Sequence, residues 1–224
     1  FVHSGQVCSA GTRLIVQDEM HDEFVAAVAE RAEHIRLGSG FDPATESGPL
    51  VSEEHRASVE EYVATGLREG ARLVAGGRRP EEPELAGGFF YLPTVFADCR
   101  RDMRIVQEES FGPVLTVERF GTEEEAIALG NDTDYGLAGA VWTADTARAE
   151  RVARALRHGT VWINDFGPYL PQAEWGGFGR SGNGRELGPS GLAEYREAKH
   201  IWHNTAPAAS RWFAQRDGGD AQAG

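Results

Sequence analysis

Cysteine is scarce in this chain: Cys8 and Cys99 are the only two among 224 residues. Two distant thiols do not make a disulfide scaffold. No histidine stands at metal-ligand spacing from either, so no metal site is expected and a reducing, cytoplasmic setting fits best. Long apolar runs are also missing, which leaves no candidate membrane span and no membrane partner. Basic residues are outnumbered, with 22 Lys and Arg against 35 Asp and Glu, for a net charge of −13. That surplus repels phosphate backbones and argues against nucleic acid. Backbone N–H groups can still hold a small anionic cofactor. There is no internal repeat. The chain opens on Phe1 without a basic-then-apolar leader, which reads as a chain cut from something longer. What is present is an ordinary globular composition, 41% hydrophobic and 25% charged, enough for a real core.

Periodicity organises most of the chain. Arg13-Leu14-Ile15-Val16-Gln17 reads as a strand. Residues 18–37 read as an amphipathic helix burying Phe24, Val25, Val28 and Ala32. Ser52 is a candidate N-cap, with Glu53 and Glu54 well placed in the first turn and Val59, Tyr62, Val63 and Leu67 as the apolar stripe. Gly70 ends that helix. Strands are expected at 73–75, 89–96, 114–120, 138–142 and 160–164, with helices at 123–129 and 145–156. Pro93 inside the second of these strands predicts an edge position or a bulge. Alternating strands and helices predict an α/β fold with parallel pairs. Residues 165–188 break the rhythm with glycines and aromatics, and long irregular segments are more often functional than not. A short helix around Gly191 and a last strand, Lys199–Asn204, complete the expectation. The tail from Thr205 reads as disordered toward its end.

Three segments carry chemistry. Gly5-Gln6-Val7-Cys8-Ser9-Ala10-Gly11-Thr12-Arg13 crowds small residues around a thiol just before a strand. A lone cysteine is more often buried and inert; a reactive one needs access and nearby positive potential, which backbone N–H groups supply. Glu108-Glu109-Ser110-Phe111-Gly112-Pro113 pairs acidic residues with a Gly-Pro turn. By itself that is a solvated loop, although a carboxylate, being acceptor-only, suits a ribose diol. Trp175-Gly176-Gly177-Phe178-Gly179-Arg180-Ser181-Gly182-Asn183-Gly184-Arg185-Glu186-Leu187-Gly188 is glycine-rich. No strand leads into it in a βαβ setting, so it is not a dinucleotide fingerprint.

Together and in this order, the three segments resemble the aldehyde dehydrogenase superfamily. Its nucleophile pattern is Gly-Gln-x-Cys with an Arg five residues on, its second motif is Glu-x-Phe-Gly-Pro, and its C-terminal motif contains Gly-Arg-Glu-Leu-Gly. Asn131-Asp132-Thr133-Asp134-Tyr135-Gly136-Leu137 matches a further pattern of the family and reads as a structural turn. The resemblance implies that Cys8 is the nucleophile of an aldehyde oxidation using NAD or NADP. It implies that Glu109 accepts hydrogen bonds from the nicotinamide ribose and that Phe111 packs beside the nicotinamide. It places Glu186 near a water and proton route, a structural ion pair with a nearby Arg being the competing reading. It also implies a partial catalytic domain over 1–198, with a mostly parallel sheet flanked by helices and the glycine-rich loop at 165–188. An oligomerisation strand at 199–204 and the tail, 205–224, follow. The Rossmann-like cofactor domain, the main general base and the side-chain oxyanion donor belong upstream in such an enzyme, so the isolated piece is expected to have little activity. A homodimer or homotetramer is implied for the full-length enzyme.

Within the superfamily the residues are most similar to the betaine aldehyde dehydrogenase-like branch, through Asn164-Asp165-Phe166, Pro171-Gln172-Ala173-Glu174-Trp175 and Glu194-Tyr195-Arg196-Glu197-Ala198-Lys199-His200-Ile201-Trp202. Trp175 is the candidate substrate contact, its π face suited to a quaternary ammonium, with simple loop packing as the alternative. Plant-type members carry a Trp six residues before the nucleophile, where this chain has Val2. An aromatic cage is thus incomplete on that side, and aminoaldehydes and other aliphatic aldehydes stay open as substrates. The competing reading from another class is a catalytically inactive remnant serving as a structural or oligomerising module.

Overall fold

A computed structural model describes residues 1–208. The chain begins with a 3-10 turn, Val2–Gly5, and enters β1 (Arg13–Gln17) and α1 (Asp18–Glu33). Asp18 and Glu19 lie in the first turn of α1, where carboxylates oppose the helix dipole favourably. The helix buries His21, Val25 and Ala32. It ends earlier than its apolar periodicity suggests, and the chain then runs through a loop to α2 (Glu53–Arg68). Ser52 caps α2 as expected, accepting a 3.1 Å hydrogen bond from the His55 N–H. Gly70, at φ +88°, turns the chain out of it.

The strands β2 (Arg72–Ala75), β3 (Thr94–Ala97) and, after the one-turn helix α3 (Arg104–Gln107), β4 (Val114–Phe120) join β1 in a sheet of order β1-β4-β3-β2. β1 and β3 run parallel to β4, and β2 is antiparallel at the edge. Neighbouring side chains of β3 take opposite faces, as a strand requires. Phe96 enters a core with Val59, Val63, Met103, Ile105 and Val114 beneath α2 and α3. Val95 and Ala97 enter the other with Val16, Val25, Leu115 and Val117 beneath α1. This is the helix-flanked α/β sheet expected. The strand predicted over 89–96 is shorter, because Pro93 has no N–H for a ladder and β3 starts only after it. Neither an edge position nor a bulge arises at Pro93: β3 is a central strand, and the sheet's register shift falls between Leu73 and Ala75 on β2, opposite Val95 and Phe96.

The second half comprises α4 (Glu123–Gly130), β5 (Tyr135–Gly136), β6 (Ala138–Val141), α5 (Thr146–Ala155), β7 (Thr160–Ile163), β8 (Phe178–Gly179) and α6 (Gly188–Ala193). β6 and β7 form a parallel pair, and β5 pairs antiparallel with β8 inside the glycine-rich segment. Thr122 and Asp145 cap α4 and α5. Asn131 ties the two helix ends together, donating to the Ala155 carbonyl at 2.9 Å and accepting from the Arg157 N–H at 2.7 Å.

Lys199–Asn204 pairs with no strand among the described residues. A strand is defined by ladder hydrogen bonds, so the oligomerisation strand expected at 199–204 would need a partner outside the described residues. The expected disorder of the tail falls on residues 209–224, outside the described residues. No described helix is long and apolar enough to cross a membrane.

Candidate active site

Cys8 lies in the turn between the 3-10 segment and β1, and its side chain is exposed. Gly5, at φ +73°, lets this turn settle on the loop before β4; a Cβ there would overlap the Gly112 carbonyl. The nucleophile segment therefore touches the Glu-Ser-Phe-Gly-Pro segment directly, although more than 100 residues of sequence separate them. Gln6 fixes the turn from a second side, accepting from the Val51 N–H at 2.9 Å and donating to the Pro49 carbonyl at 3.4 Å. The Cys8 N–H has no acceptor among the described residues, which leaves it free to donate outward. Cys99 is the contrast: it is buried under the sheet, and burial pushes its thiol up to about 12. Only Cys8 has the access a nucleophile needs.

The acidic pair divides its labour. Glu108 accepts from Arg104 at 2.9 and 2.6 Å and from the Tyr62 hydroxyl at 2.8 Å. The Arg104 guanidinium, with Tyr62, holds its carboxyl down to about 2. Glu109 is exposed and its side chain has no hydrogen-bond or ion-pair partner among the described residues. Phe111 follows in a left-handed conformation, φ +50°, and the residue is 39% exposed. An unengaged carboxylate two positions before an exposed aromatic residue fits the nicotinamide cofactor expected, as acceptor for hydroxyls and as an apolar surface.

The glycine-rich segment reaches the nucleophile turn through aromatics. The Tyr169 hydroxyl hydrogen-bonds the Ser9 hydroxyl, and the Phe166 ring lies against Gly11. Trp175 meets the Tyr169 ring edge-on at 4.5 Å and stacks on Trp162 at 6.1 Å. Trp175 and Glu186 bond each other through their backbones, N–H to carbonyl both ways at 2.7 Å. The Glu186 side chain is exposed and pairs with no Arg among the described residues.

The site thus brings Cys8 into one region with Phe111 on one side and with Trp175 and the Glu186 backbone on the other. Sequence reasoning singled out these four and Glu109. It missed Tyr169, Phe166 and Trp162, which aromatic density alone could have flagged, and it missed His55. Nothing in the sequence ties His55, in the first turn of α2, to a loop 56 residues away; yet its Nε2 bonds the Phe111 carbonyl at 2.8 Å.

The aldehyde dehydrogenase family model matches residues 1–201. The chain is 64% identical over 213 residues to the betaine aldehyde dehydrogenase of Bacillus subtilis (strain 168), an overlap of 95% of this chain and 44% of that protein. It is 44% identical over 213 residues to aminoaldehyde dehydrogenase 1, peroxisomal, of Pisum sativum, covering 95% and 42%. The crystal structure of betaine aldehyde dehydrogenase from Staphylococcus aureus in complex with NAD+ matches with a TM-score of 0.91 at 54% identity, over 95% of this chain and 42% of that one. A point mutant of the same enzyme, with NAD+ and a BME-modified cysteine, gives a TM-score of 0.92 at 54% identity, covering 95% and 43%. The chain spans less than half the length of these relatives.

Proposed function

The chain belongs to the aldehyde dehydrogenase family, and from that premise we propose that it is the nucleophile-bearing portion of an NAD(P)-dependent dehydrogenase for betaine aldehyde or an aminoaldehyde. The observation that carries this reading is the convergence of three distant motifs around one exposed thiol, through the Gly5–Gly112 contact and the Ser9–Tyr169–Trp175 chain.

The Cys8 thiolate adds to the aldehyde carbon, and the negative charge moves to the former carbonyl oxygen. The free Cys8 N–H is placed to donate to that oxyanion. Glu109 and Phe111 hold the nicotinamide riboside, Glu109 as acceptor for ribose hydroxyls and Phe111 as an apolar wall. NAD(P)+, when bound, supplies the hydride acceptor that carries the thiohemiacetal to a thioester. Water then cleaves the thioester with help from a general base. Glu186, unpaired and exposed beside the aromatic cluster, serves the proton route to that water. Trp175 and its ring neighbours favour a cationic aldehyde, because π faces attract ammonium groups. The names of the Bacillus and pea relatives agree in substrate type. A homodimer or homotetramer of the complete enzyme is part of the same proposal.

The test is a panel of aldehydes with NAD+ and NADP+ on the complete enzyme, alongside Cys8→Ala. Betaine aldehyde or an aminoaldehyde should be oxidised preferentially, and the folded variant should lose turnover entirely. Turnover retained in Cys8→Ala, or no oxidation of any aldehyde by the parent, would refute the reading.

A further inference from the structure

The N-terminus of α2 touches both halves of the site. Gln6 of the nucleophile turn bonds Val51 and Pro49 just before the helix. His55, in its first turn, bonds the loop that carries Glu109 and Phe111. The His55 backbone N–H is held by the Ser52 cap at 3.1 Å, so the root of the side chain is anchored. Its ring donates through Nε2 to the Phe111 carbonyl at 2.8 Å and lies tilted against the Phe111 ring, centroids 6.5 Å apart. Phe111 itself sits at φ +50°, a conformation that a bulky residue rarely adopts unless its surroundings impose it. Its successor, Gly112, is fixed by packing on Val59 of α2 and by Gly5. No other side chain bonds the Phe111 backbone among the described residues.

We propose that His55 is a positioning residue for cofactor binding: its Nε2–H holds the Phe111 carbonyl, and with it the left-handed turn that aims Phe111 and Glu109 at the nicotinamide riboside. This rests on the cofactor roles proposed above for Glu109 and Phe111. The carbonyl needs a donor and nothing more. Neutral imidazole protonated on Nε2 satisfies it, and so does a glutamine amide of similar reach.

The experiment compares the complete enzyme with His55→Ala and His55→Gln. KM for the nicotinamide cofactor, KM for the aldehyde and kcat are measured alongside cofactor affinity by fluorescence titration and thermal midpoint. His55→Ala should raise the cofactor KM and Kd by about 5-fold, the equivalent of one ordinary hydrogen bond. The aldehyde KM and the thermal midpoint should change little. His55→Gln should recover most of the loss. Cofactor KM and Kd unchanged in a folded His55→Ala would overturn the proposal. So would parallel losses in both substrates' KM with a lowered midpoint and no rescue by Gln, which is the signature of a merely structural residue. A parent enzyme that binds no nicotinamide cofactor at all would instead sink the functional reading on which the proposal stands.

Discussion

Arg13 shows how one side chain near the nucleophile holds the fold. It follows Cys8 by five positions, at the start of β1, and reaches across to Glu118 on β4 with donations of 2.8 and 2.6 Å, plus 3.2 Å to the Leu129 carbonyl. Side-chain exposure is 18% for Arg13 and 2% for Glu118. Burial pushes the Glu118 carboxyl above its usual range even though Arg13 opposes the shift. A buried pair of this kind adds little net stability, but losing one partner strands the other charge. Arg13→Met should therefore destabilise the complete protein by about 3–5 kcal/mol in urea unfolding, while Arg13→Met with Glu118→Leu should regain most of it. Equal losses in single and double variants would show that packing, not the stranded carboxylate, carries the cost. At this scale the sequence singled out Cys8, Glu109 and Phe111 as candidates, because a motif is a local string. It did not reveal the Glu118 partner or His55, since both act across distances that only the folded sheet and loop close.

Elements were legible where pattern and punctuation agree. β1 and β4 fall where the β-rich runs predict them, and α2 starts at its serine cap and turns out at its glycine. Where a single residue vetoes the pattern, the veto won: Pro93 cut a predicted strand down to β3. The one-turn helix α3 was invisible because four residues carry no period. Yet α3 supplies Arg104, whose pairing with Glu108 and Tyr62 clips the loop of the site to α2. The Glu108 carboxyl is held at about 2, below its ordinary 4.5. A depressed carboxylate contributes stability above its unfolded value and loses it as pH falls through the folded one. The melting difference between the parent and Glu108→Gln should thus be full above pH 4.5 and close as pH falls toward about 2. Because the pair is partly exposed, salt should shrink that difference. A difference that stays constant across the acid range would show that Glu108 contributes shape and not charge.

For the whole molecule, the last described segment matters most. Tyr195, Ile201 and Trp202 are 90%, 80% and 81% exposed, an unusual amount of large apolar surface for one short stretch. Lys199–Asn204 has strand composition but no ladder partner among the described residues. Exposed strand-forming backbone flanked by bare aromatics calls for a partner, or it invites aggregation. The proposed oligomer answers both needs, with this segment pairing against another copy. Removing residues 199–224 from the complete enzyme should then lower its mass in sedimentation equilibrium to that of a monomer or smaller assembly, with far-UV circular dichroism nearly unchanged. The sheet of β1 to β4 and both cores lie outside the deleted stretch, so the fold should survive. An assembly of undiminished order after the deletion would assign oligomerisation to another surface and leave the exposed Ile201 and Trp202 without a role in it.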